Sequence, residues 1–153
     1  MMRSLWLASI WHPDAIPASE GEYARDVKRW VLPTIDLLLI LGSFFGMSGG
    51  MPTVLIVYNE CVSRTAAALV LAFAVGCLVG VAFPRLWALE FAAKCGLVFI
   101  LLTYALLATG LSASGDQGRW FISGAVAAAA VAPVWRIIWL GRERRRRIAS
   151  KEE

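Results

Sequence analysis

Four long apolar runs dominate the hydrophobic pattern of the chain, and polar residues gather in the shorter stretches between them. The runs cover residues 32–47, 66–83, 87–111 and 120–140. A helix needs about 20 mostly apolar residues to cross the hydrocarbon layer of a bilayer, which is roughly 30 Å thick. The pattern therefore predicts an all-α integral membrane bundle of four transmembrane helices.

The same runs argue against membrane-spanning β-strands. Backbone groups in lipid must be paired within a helix or in a closed barrel, and barrel strands alternate apolar with polar residues. None of the four runs alternates in this way. The composition is also typical of an integral membrane protein, since 59% of the 153 residues are hydrophobic. The spans and their loops leave no length for a separate soluble catalytic domain.

The stretch between the first two runs is unusual. Gly49-Gly50-Met51-Pro52 breaks the first span, and a short apolar run, residues 53–58, follows it. Six residues are too few to cross the membrane. Two interpretations stay open, of which the first is simpler: the run lies along the outer interface, or it dips back into the protein as a re-entrant segment.

The distribution of Lys and Arg sets the predicted orientation, because the cytoplasmic flanks of transmembrane helices are enriched in these residues. Most basic residues precede the first span or follow the last. The first outer loop carries only Arg64 and the last only Arg119. Both termini are therefore predicted to lie in the cytoplasm, with the chain in the inner membrane, and an even number of spans agrees with this.

Residues 1–30 are predicted to form an interfacial arm on the cytoplasmic side. Their early apolar run is too short for a signal peptide and has no cleavage site after it, so its tryptophans are expected at the headgroup level. Ser19 and Glu22 have the spacing of a capping box. This predicts a short basic helix, which Pro33 is expected to end or kink.

Familiar catalytic and metal-binding motifs are missing from the sequence. There is no H-E-x-x-H, G-x-S-x-G, P-loop or dinucleotide fingerprint, and the one histidine, His12, lies near the N-terminus. Three cysteines without C-x-x-C spacing indicate neither a disulfide framework nor a zinc site. Cys77 and Cys95 are expected within membrane helices and Cys61 near the outer surface. We therefore predict a non-enzymatic protein without a cofactor or metal.

Small residues recur at every fourth position in three of the predicted helices, which places them on one helix face and lets a neighbouring backbone approach closely. The helix-packing candidates are Gly42 and Gly46 in the first helix, Ala72, Gly76 and Gly80 in the second, and Gly124 and Ala128 in the fourth. Packing within one monomer and packing between subunits of a homo-oligomer both stay open.

Three ionisable residues, Asp36, Glu90 and Lys94, fall inside the predicted spans. An ionised side chain costs roughly 2.5 to 3.5 kcal/mol at a helix centre on insertion scales. Asp36 and Lys94 reach a similar depth of about 10 Å, and Glu90 and Lys94 have the favoured i, i+4 spacing. We predict an inner-leaflet cluster that either fixes two helices or provides a proton or cation site, with Arg136 snorkelling toward the same surface.

A basic tail, residues 141–153, follows the last span. Its juxtamembrane arginines are Arg142, Arg144, Arg145, Arg146 and Arg147. Clusters of this kind bind anionic lipid headgroups with about 1 kcal/mol per charge. We favour that interpretation over nucleic-acid binding.

The whole arrangement resembles small multi-pass membrane proteins of actinobacterial phages. The resemblance is carried by the polar N-terminal arm, Gly49-Gly50-Met51-Pro52-Thr53, Phe83-Pro84-Arg85-Leu86-Trp87 and the terminal arginine run. Some of those proteins are similar to holins, so the resemblance implies a protein that oligomerises and permeabilises the membrane. Two alternatives stay open: a small dimeric transporter or channel that uses Asp36 or Glu90 as its coupling site, and a membrane anchor or accessory subunit for a protein partner.

Overall fold

A computed structural model describes residues 9–11, 26–113 and 119–149, without the side chains of Pro84 and residues 143–149. These residues form helices and turns and contain no strand. The helices are α1 (Leu32–Gly49), α2 (Pro52–Val57), α3 (Glu60–Ala82), α4 (Trp87–Ala113) and α5 (Arg119–Ala149). His12 and the capping-box residues Ser19 and Glu22 lie outside the described residues.

Four helical stretches are long and apolar enough to cross a membrane: Val27–Val57, Glu60–Ala82, Trp87–Ala113 and Arg119–Arg142. The expectation of an all-α chain with four candidate spans is confirmed at this level of length and composition. Within the first of these stretches, the short helix α2 follows α1 and connects it to α3. It follows a turn at Gly50, whose φ of 75° lies in the region that favours glycine.

Pro33 does not end the helix that precedes it. A π-helical turn, Val27–Val31, runs directly into α1, and the N–H of Leu32 donates to the carbonyl of Val27. Proline lacks an N–H, and its ring clashes with the carbonyl four residues before it. The wider π turn removes that conflict, so the chain enters the first span as one helix.

Helices α3 and α5 extend more than two residues beyond the apolar runs that predicted them. Helix α3 begins at Glu60 because Asn59 caps it, accepting a 2.9 Å hydrogen bond from the N–H of Val62. Helix α5 passes through Pro133 and continues to Ala149. The arginine-rich stretch past Gly141 contains no further glycine or proline, and arginine is a good helix former.

The long helices pack in chain order, α1 against α3, α3 against α4, and α4 against α5. The main buried cluster between them contains Val70, Cys77, Ala93, Leu97, Leu101 and Ala130. A smaller cluster joins Ile10, Leu32 and Val81, and the N–H of Ile10 donates to the carbonyl of Ala82 over 2.9 Å. Residues 9–11 therefore dock on the end of α3.

The small residues singled out in the sequence divide into two groups. Gly46, Gly76 and Gly80 face a neighbouring helix of the same chain. A Cβ atom built at Gly76 lies 3.1 Å from Ala93 Cβ, and one at Gly46 lies 3.3 Å from Ala67 Cβ. By contrast, Gly42, Ala72, Gly124 and Ala128 lie on the outer surface of the bundle.

Candidate functional site

Four charged side chains meet inside the bundle, near the end where α3 turns into α4. Asp36 comes from α1, Glu90 and Lys94 from α4, and Arg136 from α5. Their residues are 2%, 2%, 2% and 5% exposed, respectively. We call these four residues the charge cluster. It contains the three residues expected from the sequence, together with Arg136.

The first contact of the charge cluster joins α1 to α4. Lys94 Nζ lies 3.6 Å from Asp36 Oδ1, with both side chains buried. This is an ion pair without a short hydrogen bond, because 3.6 Å exceeds the usual donor–acceptor range. Asp36 and Lys94 therefore attract each other across the helix interface but do not lock each other in one geometry.

The second contact joins α4 to α5 and is tighter. Arg136 Nε donates to Glu90 Oε1 over 2.7 Å, and Arg136 Nη2 donates to Glu90 Oε2 over 3.2 Å. Two parallel hydrogen bonds of this kind are the geometry that a guanidinium and a carboxylate favour. Glu90 thus pairs with Arg136 rather than with Lys94, its i, i+4 neighbour.

Arg136 differs from the sequence-based expectation. It was expected to snorkel toward the membrane surface, but its side chain turns into the bundle and is buried. The physical reason is Glu90, because a buried carboxylate without a partner is costly in a membrane interior. The inward orientation of Arg136 gives that carboxylate two charge-assisted hydrogen bonds.

Gly80 on α3 allows Glu90 to occupy its position. A Cβ atom built at Gly80 lies 2.7 Å from Glu90 Cα and 2.8 Å from Glu90 N. Real side chains do not tolerate such distances to a backbone, so only glycine permits this approach of α3 to the first turn of α4. The small-residue face of α3 therefore helps to place the charge cluster.

Trp139 on α5 connects the charge cluster to the π-helical turn that precedes α1, because both Arg136 and Lys28 lie near its ring. Arg136 Cζ lies 6.0 Å from the centroid of its ring, and Lys28 Nζ lies 5.2 Å from it. Lys28 belongs to the π-helical turn and is 6% exposed. These cation–π contacts connect the start of the first span to α5. Trp139 is not among the residues predicted from the sequence, although its i, i+3 spacing from Arg136 would place it on the same face of α5.

The charge cluster is balanced, with two acidic and two basic side chains. Each carboxylate faces a basic side chain from a different helix. Within the described residues, no group of three or more His, Cys, Asp or Glu side chains is placed to hold a metal ion. In chemical terms the arrangement neutralises charge inside the bundle and connects α1, α4 and α5.

Neutral hydroxyl groups make polar contacts between helices at the opposite end of the bundle. Ser123 Oγ on α5 lies 2.5 Å from Thr109 Oγ1 and 3.1 Å from the carbonyl oxygen of Ala105. Ser63 Oγ accepts from the N–H of Met51 over 2.6 Å. These contacts join α4 to α5, and α3 to the segment before α2.

The short helix α2 packs against α3 and α4. Its first turn is buried, with Thr53 1% and Val54 7% exposed, whereas Ile56, Val57 and the following Tyr58 are exposed. The connection between the first two spans is therefore helical and inserts one turn into the protein. Its other side stays on the surface.

The basic tail begins as a continuation of α5. Arg142 is exposed, and the backbone from residue 143 to Ala149 is helical. Among the cysteines, Cys77 is buried, whereas Cys61 and Cys95 are exposed.

Comparison of the chain with protein-family models, with curated proteins and with solved structures gives no match. Three features of the chain itself bear on its function: the balanced charge cluster, the helical basic tail and the outward-facing small residues.

Proposed function

We propose that this chain is a non-enzymatic, multi-pass protein of the inner membrane that anchors its helical basic tail at the cytoplasmic surface. The observation that carries the proposal is the pairing of Glu90 with Arg136. This pairing fixes α5, the helix that bears the tail, to α4 inside the membrane.

Charge pairing within the chain favours an anchor over a transporter. A coupling carboxylate must exchange its ligand, whereas Glu90 is held by two hydrogen bonds and Asp36 faces Lys94. Buried charges that pair across helices define which helices pack together. We therefore assign the charge cluster a structural role.

The proposed orientation places both termini in the cytoplasm. It rests on the basic residues that flank the first and last spans. An impermeant thiol reagent added to intact cells should label Cys61, which is exposed, and should spare Cys77. A cysteine introduced at Ser150 should stay unlabelled from outside. Labelling of that cysteine from outside would show that the C-terminus faces outward and would contradict the proposed orientation.

The proposed partner of the tail is the anionic headgroup layer of the bilayer. Replacing Arg142 and the four arginines of residues 144–147 with Gln should leave insertion intact but reduce the number of anionic lipids retained in native mass spectrometry. The matched control replaces the same residues with Lys, which keeps the charge. Equal retention by the Gln and Lys variants would contradict a lipid-binding tail.

A holin-like protein that self-associates is the second candidate. It is supported by small residues that have no packing partner among the described residues. Apart from the adjacent residues and the nearby backbone of the same helix, no described atom lies within 4 Å of a Cβ built at Gly42 or Gly124. Ala128 is exposed one turn after Gly124. A second copy of the chain could approach closely along this face of α5.

Timed expression in a bacterium separates the two candidates. A holin-like protein should collapse the membrane potential, and Gly124→Leu with Ala128→Leu should prevent the collapse without reducing the amount of inserted protein. The control is Gly110→Leu on α4, where a Cβ also meets open space. If the unmodified chain leaves the potential intact at high expression, the holin-like candidate is excluded and the anchor remains.

A further inference from the structure

Two buried polar atoms of the charge cluster lack a hydrogen-bond partner among the described residues. They are Asp36 Oδ2, which is an acceptor, and Arg136 Nη1, which is a donor. Leaving such an atom unsatisfied is unfavourable, and more so when the group is charged. Buried polar groups that find no protein partner are commonly satisfied by ordered water.

The two atoms belong to one small region. Glu90 and Lys94 are one turn apart on α4. Glu90 pairs with Arg136, and Lys94 pairs with Asp36. The two unsatisfied atoms therefore belong to side chains that are held by neighbouring positions of one helix.

Charge balance defines the chemistry of that molecule. The cluster holds two positive and two negative side chains, so an added ion would introduce an uncompensated charge into the membrane interior, which is costly. A neutral molecule carries no such cost. It must accept a hydrogen bond from Arg136 Nη1 and donate one to Asp36 Oδ2, and water does both.

We propose that the charge cluster is a binding site for an ordered water molecule that bridges Asp36 Oδ2 and Arg136 Nη1. The water joins the Asp36–Lys94 and Glu90–Arg136 pairs into one hydrogen-bonded network across α1, α4 and α5. It also compensates for the long contact between Lys94 and Asp36, because the second oxygen of Asp36 then has its own donor.

X-ray radiolysis of the purified protein in lipid nanodiscs tests this site, because an internal water generates hydroxyl radicals beside the residues that surround it. Cys77 is the reporter. It is 0% exposed, so radicals from bulk water do not reach it. It also belongs to the same buried cluster as Ala93, which directly precedes Lys94 on α4. We expect oxidation of Cys77 in the unmodified chain. A rate no higher than that of a dry buried site would overturn the proposal.

The decisive variant is Asp36→Leu with Arg136→Leu. It removes both unsatisfied atoms and leaves Glu90 and Lys94, whose i, i+4 spacing lets them pair with each other. We expect the oxidation of Cys77 to be lost in this variant. The control variant Thr109→Val with Ser123→Ala removes a polar contact elsewhere and should retain it. Unchanged oxidation in the Asp36 and Arg136 variant would contradict a bridging water.

A density map of the unmodified chain provides a test that does not depend on the folding of any variant. At a resolution where waters are visible, we expect a peak within hydrogen-bonding distance of both Asp36 Oδ2 and Arg136 Nη1. A well-ordered map with these side chains resolved and no peak between them would refute the site.

Discussion

At one end of the bundle four charged side chains from α1, α4 and α5 meet. At the other end serine and threonine hydroxyls join α4 to α5, and α3 to the segment before α2. We call these regions the charged end and the hydroxyl end. At the charged end, the Glu90–Arg136 pair is almost fully buried. At the hydroxyl end, Ser123 contacts Thr109 and the carbonyl of Ala105.

The difference lies in what remains when one partner is removed. A charge that loses its partner inside a membrane keeps its full desolvation cost. A hydroxyl can instead donate to a carbonyl of its own helix, as Thr109 does with Ala105 over 2.8 Å. We infer that the charged end determines which helices pair, whereas the hydroxyl end adds smaller increments.

The largest expected effect is the loss of one partner at the charged end. Arg136→Leu leaves two buried carboxylates, Asp36 and Glu90, with Lys94 as the one basic side chain of the cluster. It should therefore reduce the free energy of unfolding by about 3 to 5 kcal/mol. The double variant Glu90→Leu with Arg136→Leu removes both charges and should be more stable than the single variant. Unfolding of the purified protein in bicelles measures both. A double variant less stable than the single one would contradict the pairing.

An exposed ion pair serves as the matched control for that experiment. Arg64 and Glu60 lie i, i+4 on α3, and their side chains are 59% and 67% exposed. Pairs of this kind typically contribute about 0 to 1 kcal/mol. Arg64→Leu should therefore change stability far less than Arg136→Leu, although each removes an arginine from an ion pair.

The sequence predicts the architecture well because four long apolar runs leave few other folds possible. It also places Asp36 and Lys94 at a similar depth, and their side chains lie 3.6 Å apart. The depth of a residue in the bundle follows from the number of residues between it and the end of its helix, because the rise per residue is fixed. This depth does not depend on how the helix is rotated about its axis, so the sequence is enough to predict it.

The partner of Glu90 could not be predicted in the same way, because it depends on the rotation of α5. The segment of α5 before Pro133 is rich in alanine, so its apolar pattern marks no clear inner face. The end of α5 was likewise not predictable from its apolar run. Hydrophobic length indicates where lipid ends, whereas the helix continues through the arginines to Ala149.

A second, smaller effect is expected where the charged end depends on close packing. Gly80→Ala introduces a Cβ atom against the backbone of Glu90, and overpacking of this kind typically costs about 1 to 3 kcal/mol. Gly42→Ala is the matched control, because a Cβ there meets open space. Thermal unfolding in detergent should separate the two variants. Equal stabilities would mean that α3 and α4 can move apart without cost.

The smallest effect is expected at the hydroxyl end. Ser123→Ala removes the hydrogen bond to Thr109 but leaves the Thr109 hydroxyl bound to Ala105 of its own helix. No buried group is then left without a partner, so the loss should be close to the average of about 0.6 kcal/mol measured for hydrogen bonds between membrane helices. Thr103→Val is the control, since the exposed Thr103 hydroxyl donates to Phe99 within α4. Unfolding in bicelles should rank Ser123→Ala slightly below Thr103→Val in stability and well above Arg136→Leu. A loss for Ser123→Ala as large as that for Arg136→Leu would show that both ends determine helix pairing equally.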